Sequence, residues 1–448
     1  METLYHLPTV IGSLKRYFSP YLSLLTKPSG NKLFLLLLAL LAVQIATSLN
    51  YLYKRFLSKL SGTSLNAYYY LLSETEMPLG KFSQITMKLA LSLIPETLNR
   101  LPVLLVVDDT LQAKFGTRFE CCQTMFDHAK HNGTNYLKGH CFAALTVGVP
   151  VVTQGEIRYL HIPLGYRLQN DESKLKIAAE MIDTAMEALP QPYSVILLCD
   201  SWYPKGDVIK TVQKYENLDL IANVRVDTCI FDLPPERANK RGRPPKKGAS
   251  LSIYDDFNFI RVDEYFIAVR TVLTNLFGEL PVYLTVTTPN LLNHNAYRVF
   301  ISTVQPELLR ERFSGYEKKL SGSLNAQMAW LLPLFLYSFR WSIEVMFYEQ
   351  KKFWSFGLYR VRSKPGIERF VNFSALCYAA MKILPRLDTR FQAFINESPQ
   401  SCKDAFGEAI WQEIIFFRFG LNTENDIYSE IMLPKPFGFC YSFIDTPA

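Results

Sequence analysis

Residues Trp330–Trp354 read WLLPLFLYSFRWSIEVMFYEQKKFW, apolar enough for a buried helix yet carrying Tyr337, Arg340, Glu344 and Lys351. At about 100° per residue, one helix over this stretch sets all four on a single face. Arg340 precedes Glu344 by one turn, and Lys351 follows it by almost two. An ionised carboxylate in such surroundings is costly unless a charge, a donor network or a metal compensates it. Taken alone, the helix fits two readings: a functional stripe, or an internal Arg–Glu pair one turn apart.

The whole chain, 448 residues with 49% hydrophobic and 14% aromatic content, is long enough for two or three domains around a large core. A net charge of +7 permits nucleic-acid binding without demanding it. Eight scattered cysteines without a repeated CxxC pair fit reduced thiols rather than a disulfide scaffold. The apolar run Leu33–Val43 lies between Lys32 and Gln44 and is shorter than the ~18 residues of a membrane span. It also begins too far along the chain for an ordinary signal peptide. A buried helix, no membrane association and a cytoplasmic location are therefore expected.

Residues 1–100 read as an N-terminal helical domain. In it Tyr51–Leu60, the turn SGTS and Leu65–Leu72 could form a helix-turn-helix-like DNA reader, with Lys54, Arg55 and Lys59 on phosphates. Plain three-helix packing explains the same pattern. At Leu101 the pattern changes: LPVLLVVDDT is a continuous Val/Leu run that breaks at Asp108 and Asp109, as a buried strand does. Lys138–Val149 and Glu156–Leu164 are β-rich, Glu172–Leu189 has helical spacing, and Ser194–Asp200 is a second apolar strand ending in Asp. A helix over Gly206–Tyr215 and a strand over Leu218–Val224 complete the first part, 101–225, of an α/β domain with a mixed sheet. Residues 226–325 read as a mostly β insertion before the Trp330 helix. Residues 326–385 complete the α/β domain, and 386–448 form a C-terminal region.

Two strand ends bearing Asp and a later helix bearing Glu344 supply the separated carboxylates that a pair of Mg²⁺ ions needs, Mn²⁺ being a substitute. Two such ions about 4 Å apart stabilise the attacking and leaving oxygens of an in-line phosphoryl displacement. One acidic strand end means little by itself, since Asp often caps helices there. The ordered set, on a Tyr-x2-Arg-x3-Glu-x6-Lys helix, is far more specific.

That helix resembles the Y-(2)-R-(3)-E-(6)-K signature of bacterial insertion-sequence transposases of the insertion-sequence-four type, a branch of the DDE transposases. The surrounding Arg340, Trp341, Glu344 and Phe347 match it too, and VVDDT and LLCDSWY are similar to its first and second Asp motifs. The likeness extends over roughly Leu101–Lys364, including the β insertion with its basic GRPP loop. It implies a ribonuclease-H-like catalytic domain that cuts and joins double-stranded DNA at transposon ends, as a nucleoid-associated homodimer in a synaptic complex. Carried over, the catalytic and metal-binding set is Asp109, Asp200 and Glu344. Asp109 is favoured over Asp108 because the family's Asp directly precedes a Thr, here Thr110. Tyr337, Arg340 and Lys351 inherit the grip on phosphates, which suits a bidentate Arg, a Lys point charge and a Tyr donor.

Around this set, Arg241 and Arg243 in the basic loop Lys240–Lys247 are candidates for a narrow minor groove. Trp202 and Trp341 are candidates for stacking on an unpaired base, with core packing as the plainer role. Cys121, Cys122, His128, His131, His140 and Cys141 crowd together, but their spacing fits no common zinc pattern. Two further functions stay open: a nuclease of the same fold without strand transfer, and a DNA-binding protein derived from a transposase.

Overall fold

The computed structural model describes residues 10–127, 133–190, 193–235, 245–316 and 329–418. Twelve strands among them join one mixed sheet, so the protein is of the α/β class. The first six are β1 (Val103–Ala113), β2 (Gln123–Phe126), β3 (Tyr136–Thr153), β4 (Glu156–Leu168), β5 (Val195–Cys199) and β6 (Leu218–Val224). Then follow β7 (Ile230–Phe231), β8 (Ser250–Leu251), β9 (Ile260–Val262), β10 (Tyr265–Thr274), β11 (Val282–Thr288) and β12 (Arg298–Ser302).

The centre of the sheet runs β4-β3-β1-β5-β6. β1, β5 and β6 are parallel, while β3 is antiparallel to both β1 and β4. This order is consistent with a ribonuclease-H-like core. Val103–Val107 and Val195–Cys199 are fully buried, as central strands with both faces covered must be. The expected strands and helices of 101–225 fall on β1, β3, β4, the helix Lys174–Met186, β5, the helix Gly206–Lys214 and β6.

The strands after residue 226 do not form a separate sheet. β12 pairs antiparallel with β6, β11 with β12 and β10 with β11, so they lengthen the central sheet directly. Helix Pro306–Phe313 adds an α element to the stretch read as mostly β.

Toward the N-terminus lie helices Val10–Leu22, Lys27–Ala42, Leu65–Ser73 and Leu79–Leu91 and the segment Leu49–Leu60, which holds a π-helical turn at Tyr53–Leu57 and packs on the second and third of these helices. Leu33 to Ala42 are buried without exception, which accounts for the apolar run as a core helix. No helix among the described residues is long and apolar enough to cross a membrane. Against this core helix lies Pro399–Arg418, where Trp411 Nε1 donates to the Ala42 carbonyl at 3.1 Å and Lys403 Nζ to that of Gln44 at 2.9 Å. In the same helix the Glu413 carboxylate accepts from the Val10 and Ile11 amides, capping the first helix.

One expectation is corrected. Trp330–Trp354 is not one helix: a 3₁₀ turn at Ala329–Leu331 leads into Leu332–Ser338, and a second helix starts at Trp341. At the joint, i→i+3 hydrogen bonds run from Arg340 N to Tyr337 O, 2.9 Å, and from Ile343 N to Arg340 O, 3.2 Å. The stripe is thus carried by two helices joined through a tightened turn, and Tyr337 stays within electrostatic reach of Arg340, Asp108 and Asp200.

Candidate active site

β1 leaves the buried centre of the sheet at Asp108 and enters a cleft of about 850 Å³, whose lining includes Asp108, Asp109, Asp200, Trp202, Glu344 and Lys351. Asp200 lies just past the end of β5, next to β1, and Glu344 stands in the first turn of the helix Trp341–Phe353. Lys351 Nζ, further along that helix, donates to the Leu111 carbonyl of β1 at 2.9 Å and so ties the helix to the strand.

Successive residues of a strand point to opposite faces, and the two aspartates have different company. Asp108 is buried, and its Oδ2 accepts from Arg340 Nη1 at 2.6 Å. Burial, then the Asp200 carboxylate, push its pKa up to about 7; Arg340 pulls the other way, and Glu344 adds to the rise. Asp109 instead binds Lys174 Nζ with both oxygens at 3.1 Å, Tyr203 OH at 3.0 Å and Cys141 Sγ at 3.3 Å. Asp108, rather than the Asp109 expected to hold metal, therefore shares its electrostatic surroundings with Asp200 and Glu344.

The donor set of this cluster is oxygen only, which suits a hard divalent cation. Burial first, and then the acidic neighbours, disfavour the charged form of Asp108, and a bound cation would favour it. As the side chains stand, no three His, Cys, Asp or Glu residues among those described are gathered closely enough to hold an ion. Arg340 fills that space, 2.6 Å from Asp108 and 3.8 Å from Glu344.

The other expected residues divide. Tyr337 is half-buried against Phe300 of β12, ring centroids 4.9 Å apart, and burial raises its hydroxyl to about 12. Lys351 lines the cleft, and burial lowers its pKa. Trp202, 49% exposed, also lines the cleft, whereas Trp341, 65% exposed, is not among the cleft-lining residues. Arg241 and Arg243 lie outside the described residues, as do His128 and His131. His140 is buried between the Tyr359 hydroxyl, 2.6 Å, and the Glu120 carbonyl, 2.9 Å.

Lys174 is the cleft residue that sequence reasoning passed over. It opens the helix Lys174–Met186, behind the N-cap Ser173, where acidic side chains are favoured and none is present. A cation at that position was the available signal.

Residues 31–258, just over half of the chain, match the family described as DDE superfamily endonuclease. The match includes Asp108, Asp109 and Asp200 and ends before Glu344. No curated protein matches the chain. Enzymes of this family are nucleases or transposases that act on DNA, and they generally use divalent metal ions. With both Asp-tipped strands of the cleft inside the matched segment, the chain belongs to the DDE superfamily endonucleases.

Proposed function

We propose that this protein is a DNA transposase of the insertion-sequence-four type. It would hydrolyse a phosphodiester at the ends of an element, after which the freed 3′-hydroxyl attacks target DNA. The observation that carries this reading is that Asp108, Asp200 and Glu344, from two strand ends and a distant helix, line one cleft, with Arg340 paired to Asp108 and 3.8 Å from Glu344. In this reading Asp108 replaces Asp109 as the first ligand, and the three carboxylates hold two Mg²⁺ ions. When bound, those ions would stabilise the attacking and leaving oxygens. Arg340 would trade its carboxylate for a DNA phosphate, which a guanidinium fork binds bidentately. Lys351 and Tyr337 would border the same path. Residues 1–100, with exposed Lys54, Arg55 and Lys59 on a helix that precedes a turn and a second helix, would add DNA contacts. Joining two ends calls for a homodimer.

The deciding experiment incubates the protein with a duplex carrying the element's end, a supercoiled target and Mg²⁺. Joined products are expected; nicks without joining would favour a nuclease of the same family.

Metal binding is also open to a thermal-shift measurement. Mn²⁺ at a hundredfold excess over Kd stabilises by about 2.7 kcal/mol. Because an ion takes the ionised carboxylate, the rise in Tm should be larger at pH 8 than at pH 6, on either side of Asp108's value near 7. Without metal the slope reverses: stability linked to Asp108 is full below its ordinary pKa of 3.8 and is lost as pH rises through about 7. An equal Mn²⁺ effect at both pH values would remove Asp108 from the ligand set.

A further inference from the structure

Asp109 is spared from the carboxylate cluster, yet it is held by three donors from three elements. Lys174 comes from the helix Lys174–Met186, Tyr203 from the turn after β5 and Cys141 from β3. Lys174 has three N–H donors, and two satisfy the Asp109 oxygens. Its ammonium also lies 5.2 Å from the centroid of the Trp202 ring, and that of Lys205 lies 3.8 Å from it. Lys174 and Trp202 line the cleft, and Trp202 is half exposed. Two cations thus lie against the Trp202 ring, and Lys174 is paired with the Asp109 carboxylate. Lys174 further stands at a helix start, where a positive charge is disfavoured and a neighbouring anion such as the Asp109 carboxylate offsets it.

We infer that Lys174 and Lys205, braced on Trp202, form a second phosphate-binding ledge of the cleft, and that Asp109 is the positioning residue that keeps Lys174 on it. The ledge rests on the DNA-cutting reading and extends it. Its ligand is the sugar-phosphate backbone of the strand that passes Asp200, on elements other than the helix that carries Arg340 and Lys351. The residue beside the carboxylate cluster on β1 thereby acts on the substrate through a neighbouring lysine.

The test is the salt dependence of binding to a fluorescein-labelled random-sequence duplex in EDTA, where no cleavage occurs. Each phosphate contact contributes about 0.9 to the slope of log K against log salt. Lys174→Met and Lys205→Met are each expected to reduce the slope by about one, and Lys174→Arg to restore it. Adding Asp109→Asn to Lys174→Met should weaken binding no further, since its effect runs through the lysine. Unchanged slopes in both methionine variants overturn the ledge. So does a fall in Tm for Lys174→Met with its slope intact, which would make Lys174 a counter-charge for Asp109 alone. A wild-type protein that cuts DNA while the variants keep their slopes refutes only the ledge; one that neither binds nor cuts DNA refutes the underlying reading.

Discussion

Asp200→Asn is expected to lower DNA cleavage by on the order of 10³-fold or more, a loss of at least about 4 kcal/mol of transition-state stabilisation, with duplex binding close to wild type. Asparagine keeps the oxygen that accepts from the Trp202 amide at 2.9 Å, so the turn after β5 survives the substitution. Only the negative charge beside Asp108 goes. Nicking of an end-bearing duplex in Mg²⁺ measures the first quantity, and fluorescence anisotropy in EDTA the second. Parallel losses in both would make Asp200 a support of the fold or of the DNA grip.

The paired aspartates of β1 should behave very differently. Asp108→Asn is expected to match Asp200→Asn in lost cleavage and to abolish Mn²⁺ binding in calorimetry. Asp109→Asn should leave Mn²⁺ binding in place and slow cleavage by about 10–100-fold, as changes in residues that orient a site do. The physical ground is the pleat: one side chain faces Arg340, the other Lys174, and a one-residue difference exchanges the two environments. The opposite ranking would return the metal to Asp109 and require Lys174 to release it.

Much of the sheet was legible in the residues. VLLVVDD and VILLCD are apolar on both faces and turn acidic at one end, and both became neighbouring parallel strands with their acids at one cleft. Less was legible where pairing is non-local. Alternation in VYLTVTT marks a strand, yet nothing in it announces that β12 will dock on β6 and carry β11 with it. The joint at Phe339–Arg340 contains no Gly or Pro, the residues that usually signal a break, so an uninterrupted helix was the natural expectation. Alternation also states that Asp108 and Asp109 face apart, but which face the helix bearing Glu344 will cover depends on the fold. Lys174 was hidden by its helix, whose periodic Ile177, Ala178, Met181 and Ile182 fully account for it as a packing element.

The seating of Pro399–Arg418 on the Leu33–Ala42 segment also bears on synthesis and quality control. A nascent chain halted before residue 399 already contains both Asp-bearing strands and the Glu344 helix, but the side of the leucine-rich helix that Pro399–Arg418 covers stays open, and the Val10 and Ile11 amides lack their acceptor. Such a fragment is prone to aggregate or to meet proteases and chaperones. Synthesis of the Pro399–Arg418 segment thereby becomes a precondition for a closed core around the leucine-rich helix.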